Sequence, residues 1–127
     1  MTGIIHFLSW NTRAVKNSNK RQAILDSVKQ YHPVICCIQK THLLEDHKKL
    51  LSPQWAAQCY HAMYSTYARG VSILLHKSIA FTCISYKIDR EGRYVCLHCT
   101  LYTTPCVIIG VCDKRGVDPT AVLSASA

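Results

Sequence analysis

Pro33-Val34-Ile35-Cys36-Cys37-Ile38-Gln39-Lys40-Thr41-His42-Leu43 is the stretch on which the fold turns. Val34–Ile38 is an unbroken apolar run of strand length, the pattern of a strand buried on both faces. Immediately before it, His32-Pro33 stops any helix, because the residue preceding a proline avoids the helical region. Upstream, Asn19 with Gln22 three residues later has the form of a capping box, and Ile24, Leu25, Val28 and Tyr31 share one helical face. Farther back, Ile4–Trp10 is rich in strand formers and ends at polar Asn11-Thr12-Arg13. Two such strands joined through a helix predict a right-handed βαβ-like unit, or a crossover within a mixed sheet.

Downstream of His42, Leu43–Leu51 has helical spacing with charged Glu45, Asp46, Lys48 and Lys49, closed by Ser52-Pro53. Strands are then expected over Gln58–Tyr64, Gly70–Leu75, Phe81–Ile88, Arg93–Tyr102 and Cys106–Val111. Their connections are Ser65–Gly70, Asp89-Arg90-Glu91-Gly92 and Thr103-Thr104-Pro105, which predict an antiparallel meander in the second half. Ala121–Ala127 is small-residue sequence without periodicity, expected to be disordered. The class is therefore α/β (α+β), with residues 1–112 forming the domain and 113–127 a divergent, disordered tail.

The chain has 127 residues, 49% of them hydrophobic and 17% charged, with mean hydropathy +0.05. This is too apolar for a self-repelling disordered chain. No apolar run approaches the ~18 residues of a spanning helix, so no membrane partner is expected. Met1–Trp10 lacks a basic n-region and a small-residue cleavage site, so secretion is not signalled. Fifteen Lys and Arg against seven Asp and Glu give a net charge of +8, which favours polyanionic partners or simply solubility. Most of the eight cysteines lie inside apolar runs, where a free thiol behaves as a small core hydrophobe. Cys96 and Cys99 have the spacing of half a zinc site, but positions i and i+3 of a strand point to opposite faces. Unpaired thiols fit a reducing compartment, nucleus or cytoplasm.

Composition and periodicity stop there, and specific words go further. Leu8-Ser9-Trp10-Asn11-Thr12-Arg13 precedes Lys20-Arg21-Gln22-Ala23-Ile24-Leu25; the Pro33–Leu43 stretch and Arg69-Gly70-Val71-Ser72-Ile73-Leu74-Leu75 follow. In this order and spacing the chain resembles the N-terminal half of the endonuclease/exonuclease/phosphatase superfamily. Glu91-Gly92-Arg93-Tyr94 and Leu101-Tyr102 fit its apurinic-type branch, the endonuclease domain of LINE-type retrotransposons. The resemblance runs from Ile4 to about Val111. It implies two stacked mixed sheets flanked by helices, here a partial two-layer β-sandwich, and Mg²⁺-assisted hydrolysis of a DNA phosphodiester.

By that resemblance Asn11 corresponds to the family's active-site asparagine, able to orient a carboxylate ligand or a phosphate oxygen; its plain alternative is a turn asparagine after a strand. Lys40 stands where the family carries a metal-binding glutamate. A carboxylate gives a hard cation oxygen ligands and negative charge, whereas an ammonium offers three donors and no acceptor. The family's active-site tyrosine falls at Cys112, and its Gly-Asp-Phe-Asn and Ser-Asp-His words do not occur in Gly116–Ala127. His98 and His76 sit in strand-like runs and are not placed as a relocated base.

The resemblance thus implies a truncated, catalytically inactive relative of a Mg²⁺-dependent endonuclease that binds no Mg²⁺ itself. Two alternatives stand beside it, a working nuclease and a non-catalytic nucleic-acid-binding module. For the latter, Arg13, Lys16, Lys20, Arg21 and Arg69 are candidate phosphate contacts, against the plain reading of a solvated face. Trp10 and Trp55 read as core or flank residues rather than stacking platforms. With one sheet and only fragments of a second, an apolar face would be exposed and self-association favoured.

Overall fold

The computed structural model describes residues 5–112 and the backbone of 121–125. The first half forms β1 (His6–Asn11), α1 (Ser18–Lys29), β2 (Val34–Gln39), a 3-10 helix over Glu45–Leu51, β3 (Ala56–Ala62) and β4 (Val71–His76). The second half adds β5 (Phe81–Ile88), β6 (Tyr94–Leu101), β7 (Thr104–Val111) and β8 (Ala121–Ala125). One sheet has the order β1-β2-β4-β3 and the other β5-β6-β7-β8.

The βαβ expectation holds: β1 lies parallel to β2, with Leu8 opposite Cys36 and Asn11 opposite Gln39, and α1 makes the crossover. The helix begins two residues earlier than the Asn19–Gln22 box suggested. Asn17 is the N-cap, its Oδ1 accepting from the Lys20 amide at 2.9 Å, which satisfies one of the orphan donors of the first turn. Ile24, Leu25 and Val28 of α1 are buried, whereas Tyr31 lies past the helix and is exposed. Leu43–Leu51 is helical only from Glu45 and only as 3-10. His47 Nδ1 accepts the Leu44 amide at its start.

β2 explains why the apolar run is continuous. All of Val34–Gln39 is buried, with alternate residues facing two separate cores. Ile35 and Cys37 join Val71, Ile73, Val95, Leu97, Cys99 and Ile108 between the two sheets. Val34, Cys36 and Ile38 join Ile24, Leu25, Val28, Leu43, Leu51 and Leu74 beneath the helices. The architecture is three layers, helices on sheet on sheet, a mixed α+β arrangement with its sheets packed face to face.

Two expectations are corrected here. The chain does not supply one sheet and fragments of another: two four-stranded sheets are present, and the inner face of the second is buried against the first. The tail is not irregular throughout, because Ala121–Ala125 runs antiparallel to β7, with Ile108 opposite Leu123. The rest of the expected tail, 113–120 and 126–127, lies outside the described residues. The outer face of the second sheet keeps a wet character, with His98 exposed and Val107 and Ile109 half-buried.

Among the described residues no helix is long and apolar enough to cross a membrane. Cys96 faces outward while Cys99 is buried, as the strand spacing required. The Cys99 and Cys106 thiols lie 3.5 Å apart across the β6–β7 pair.

Candidate functional site

Backbone strain collects at one end of the first sheet. Arg13 (φ 53°) and Ala14 (φ 91°) follow β1, Lys40 (φ 55°) and His42 (φ 55°) follow β2, and Arg69 (φ 64°) precedes β4. Residues with a Cβ rarely adopt this left-handed region, and each such residue costs of order 1–3 kcal/mol unless the surroundings hold it. Here the surroundings do. Ala14 N–H donates to the Lys40 carbonyl at 2.7 Å and Val15 N–H to the Thr41 carbonyl at 3.1 Å. Thr41 and His42 amides donate to the carbonyls of Gly70 and Arg69, and the Gly70 amide to that of Gly92. Four segments distant in sequence are thereby tied into one loop cluster.

Gly70 is required at its centre. At φ +104° a Cβ would sit 2.2 Å from Thr41 Oγ1, so the buried threonine occupies the space a side chain would need. Thr41 Oγ1 and Asn11 Oδ1 are both buried without a hydrogen-bond partner among the described residues. Thr12 Oγ1 donates to the Gln39 carbonyl at 3.0 Å, holding the end of β1 on β2.

The charged residues divide into two groups. On the β4–β6 side they neutralise one another. Arg69 pairs with Glu91 at 3.3 Å and lies over the Tyr64 ring, 4.3 Å from its centroid. Arg93 pairs with Asp89 at 2.9 Å and Glu91 at 3.4 Å, and its hydrogen bond holds the Asp89 carboxyl below the usual range. On the β1–β2 side the charges are cationic. His42 is pushed below the ordinary histidine range by burial first, then by Lys40 and Lys20, so both ammonium groups bear on it. Lys20 Nζ donates to the Arg13 carbonyl at 3.3 Å.

The sequence-predicted residues therefore have different fates. Asn11 and Lys40 stand at the ends of the paired strands β1 and β2, and Arg13 and Lys20 meet beside them. Arg21 does not present its charge outward: its Nη1 donates to the carbonyls of Val15 and Lys16 at 3.1 and 2.9 Å, bracing the loop before α1. Arg69 is engaged by Glu91 and Tyr64 and stands apart from the cationic group. Trp55 is buried as expected, stacked near His76. Trp10 is not. It is 38% exposed and lines an open groove of about 350 Å³ with Thr12, Lys20, Ala23, Ile24 and Ser27. His42 and Tyr64 were missed as site residues, although His42 lies within the decisive Gln39–His42 word.

The donor set does not suit a magnesium site. Mg²⁺ takes oxygen ligands and usually one or two carboxylates. Beside Asn11 the chain offers Lys40, Lys20 and a histidine, while Asp89 and Glu91 are held by Arg93 and Arg69. Among the described residues no three His, Cys, Asp or Glu side chains form a group that could hold a metal ion. No protein-family model matches the chain.

Proposed function

We propose that this chain is a catalytically inactive relative of the Mg²⁺-dependent DNA endonucleases it resembles, a LINE-type endonuclease domain whose metal position has become cationic. The observation that carries this reading is Lys40, the residue directly after β2, in a left-handed turn where its ammonium bears on His42 together with that of Lys20. A cation there repels Mg²⁺ and supplies no activated water. Among the described residues no ligand set stands beside Asn11, and no hydrolytic step follows from them. Incubation with supercoiled plasmid and Mg²⁺ tests this. No nicking above background is expected from the native chain, nor from Lys40→Glu. EDTA-sensitive nicking that disappears in Asn11→Ala would make the chain a working nuclease.

A second reading has its own observation. Lys20 lines the groove with exposed Trp10, donates to the Arg13 carbonyl, and bears on His42 together with Lys40. Cations flanking an aromatic surface suit a nucleic-acid backbone with a base stacked beside it. The chain then binds DNA without cutting it. Binding of labelled duplex that weakens as salt rises supports this, and a salt-independent or absent signal removes it.

A further inference from the structure

A second concavity lies away from Lys40, between the 3-10 helix and the β5–β6 turn. It has a volume of about 300 Å³ and is lined by Glu45, Lys48, His61, Met63, Ile88 and Arg90, with Asp89 at its edge. His61 on β3 is only 6% exposed. Its Nδ1 shares a hydrogen bond of 2.7 Å with Ser72 Oγ, the residue opposite it on β4. Its Nε2 is buried and has no partner among the described residues. Whichever tautomer the serine selects, one ring nitrogen is left without a partner among the described residues. The imidazole is neutral at physiological pH, since burial, then Lys48, depress it to about 4 against a smaller opposing effect of Glu45.

The rest of the lining says what the cleft would take beside the His61 ring. Met63 and Ile88 give apolar walls suited to the face of a flat ring. The size is at the low end for ligand clefts, enough for one heterocycle. Asp89 is taken by Arg93, but Glu45 has an exposed carboxylate paired, among the described residues, with Lys48 at 2.8 Å. A carboxylate accepts from an exocyclic amino group, as it does from that of cytosine. Lys48 and Arg90 in the lining carry the charge that an attached phosphate requires. Lys48 and Met63 are unbranched and can withdraw to admit a ring edge.

We propose that this cleft binds a single amino-bearing nucleobase, with the His61 ring and the Glu45 carboxylate reading its polar edge between Met63 and Ile88. This deepens the nucleic-acid reading by naming a base site, yet it rests on residues outside the Arg13–Lys20–Lys40 group. The test is an NMR titration of the full chain with cytidine, adenosine and uridine, following the His61 ring resonances. None of these probes carries a phosphate, so the outcome is independent of duplex binding. The expected result is a saturable His61 shift with cytidine or adenosine, at least tenfold weaker with uridine, and weakened at least tenfold in Glu45→Gln. No His61 shift with any nucleoside in the native chain overturns the proposal. Equal response to uridine and cytidine overturns the amino-group reading on which it depends.

Discussion

The Ala14 amide donates to the Lys40 carbonyl at 2.7 Å, both residues in the left-handed region, and this bond joins the loop after β1 to the turn after β2. It fixes Lys40 into a framework built from four distant segments, so its backbone is held whatever its side chain meets.

Gly70 is the test of that framework. Gly70→Ala places a Cβ on Thr41 Oγ1 at a φ alanine rarely adopts. A loss of about 2–3 kcal/mol is expected in urea unfolding. A change below about 0.5 kcal/mol would mean that the loop cluster is soft and does not hold Lys40.

Gly110 tests how closely the sheets approach. A Cβ there would lie 2.6 Å from Cys37 Sγ and 3.1 Å from Val71 Cγ1. Gly110→Ala should cost about 1–3 kcal/mol by overpacking. Because the clash is with one thiol, Cys37→Ala in the same chain should recover part of the loss. Additive losses in the double variant would show that the two residues do not share the space.

Acid should destabilise the fold through His61. Its folded value, about 4, lies below the unfolded value near 6.5, so the unfolded chain binds more protons between those limits. Stability from this group is fully present above pH 6.5, falls as pH drops toward 4, and totals about 3 kcal/mol. His42 and His76 are depressed as well and act in the same direction. Urea midpoints between pH 7 and 4 should fall, with a shallower slope in His61→Phe. An unchanged slope in that variant would assign the acid sensitivity elsewhere.

The two fates of the arginines give a contrast in DNA binding. Arg13→Gln should lower the salt slope of duplex binding by about one phosphate's worth of counterion release. Arg21→Gln removes the bonds to Val15 and Lys16, so it should cost about 1 kcal/mol of stability and leave the slope unchanged. The reverse pattern, measured by anisotropy and urea unfolding, would put Arg21 on the phosphate and Arg13 on the framework.

Much of the fold was legible because its signals are local. An unbroken apolar run of strand length is typical of a strand with two buried faces, and β2 has them. Phe81–Ile88 was read to the residue because Asp89–Gly92 and the residues before Phe81 bound it sharply. The helix start was misplaced by two residues because Asn17 and Asn19 are equally good caps locally, and which one caps is set by how Arg21 and Lys20 anchor the preceding loop. β8 was invisible: small residues carry no alternation, and its pairing is dictated by the edge of β7. At the site, Asn11 and Lys40 could be placed because they end strands. The engagement of Arg21 and Arg69, the exposure of Trp10 and the buried His61–Ser72 pair depend on contacts between distant segments, which residue spacing does not encode.

Mn²⁺ titration followed by NMR line broadening at the Asn11 side-chain amide tests most directly the proposal that the sheet end holding Asn11 and Lys40 takes no Mg²⁺. Mn²⁺ occupies magnesium-type oxygen sites and broadens nearby resonances. With the native chain, the Asn11 amide should broaden no more than exposed surface groups up to millimolar Mn²⁺. Selective, saturable broadening of Asn11 that EDTA reverses would contradict this proposal.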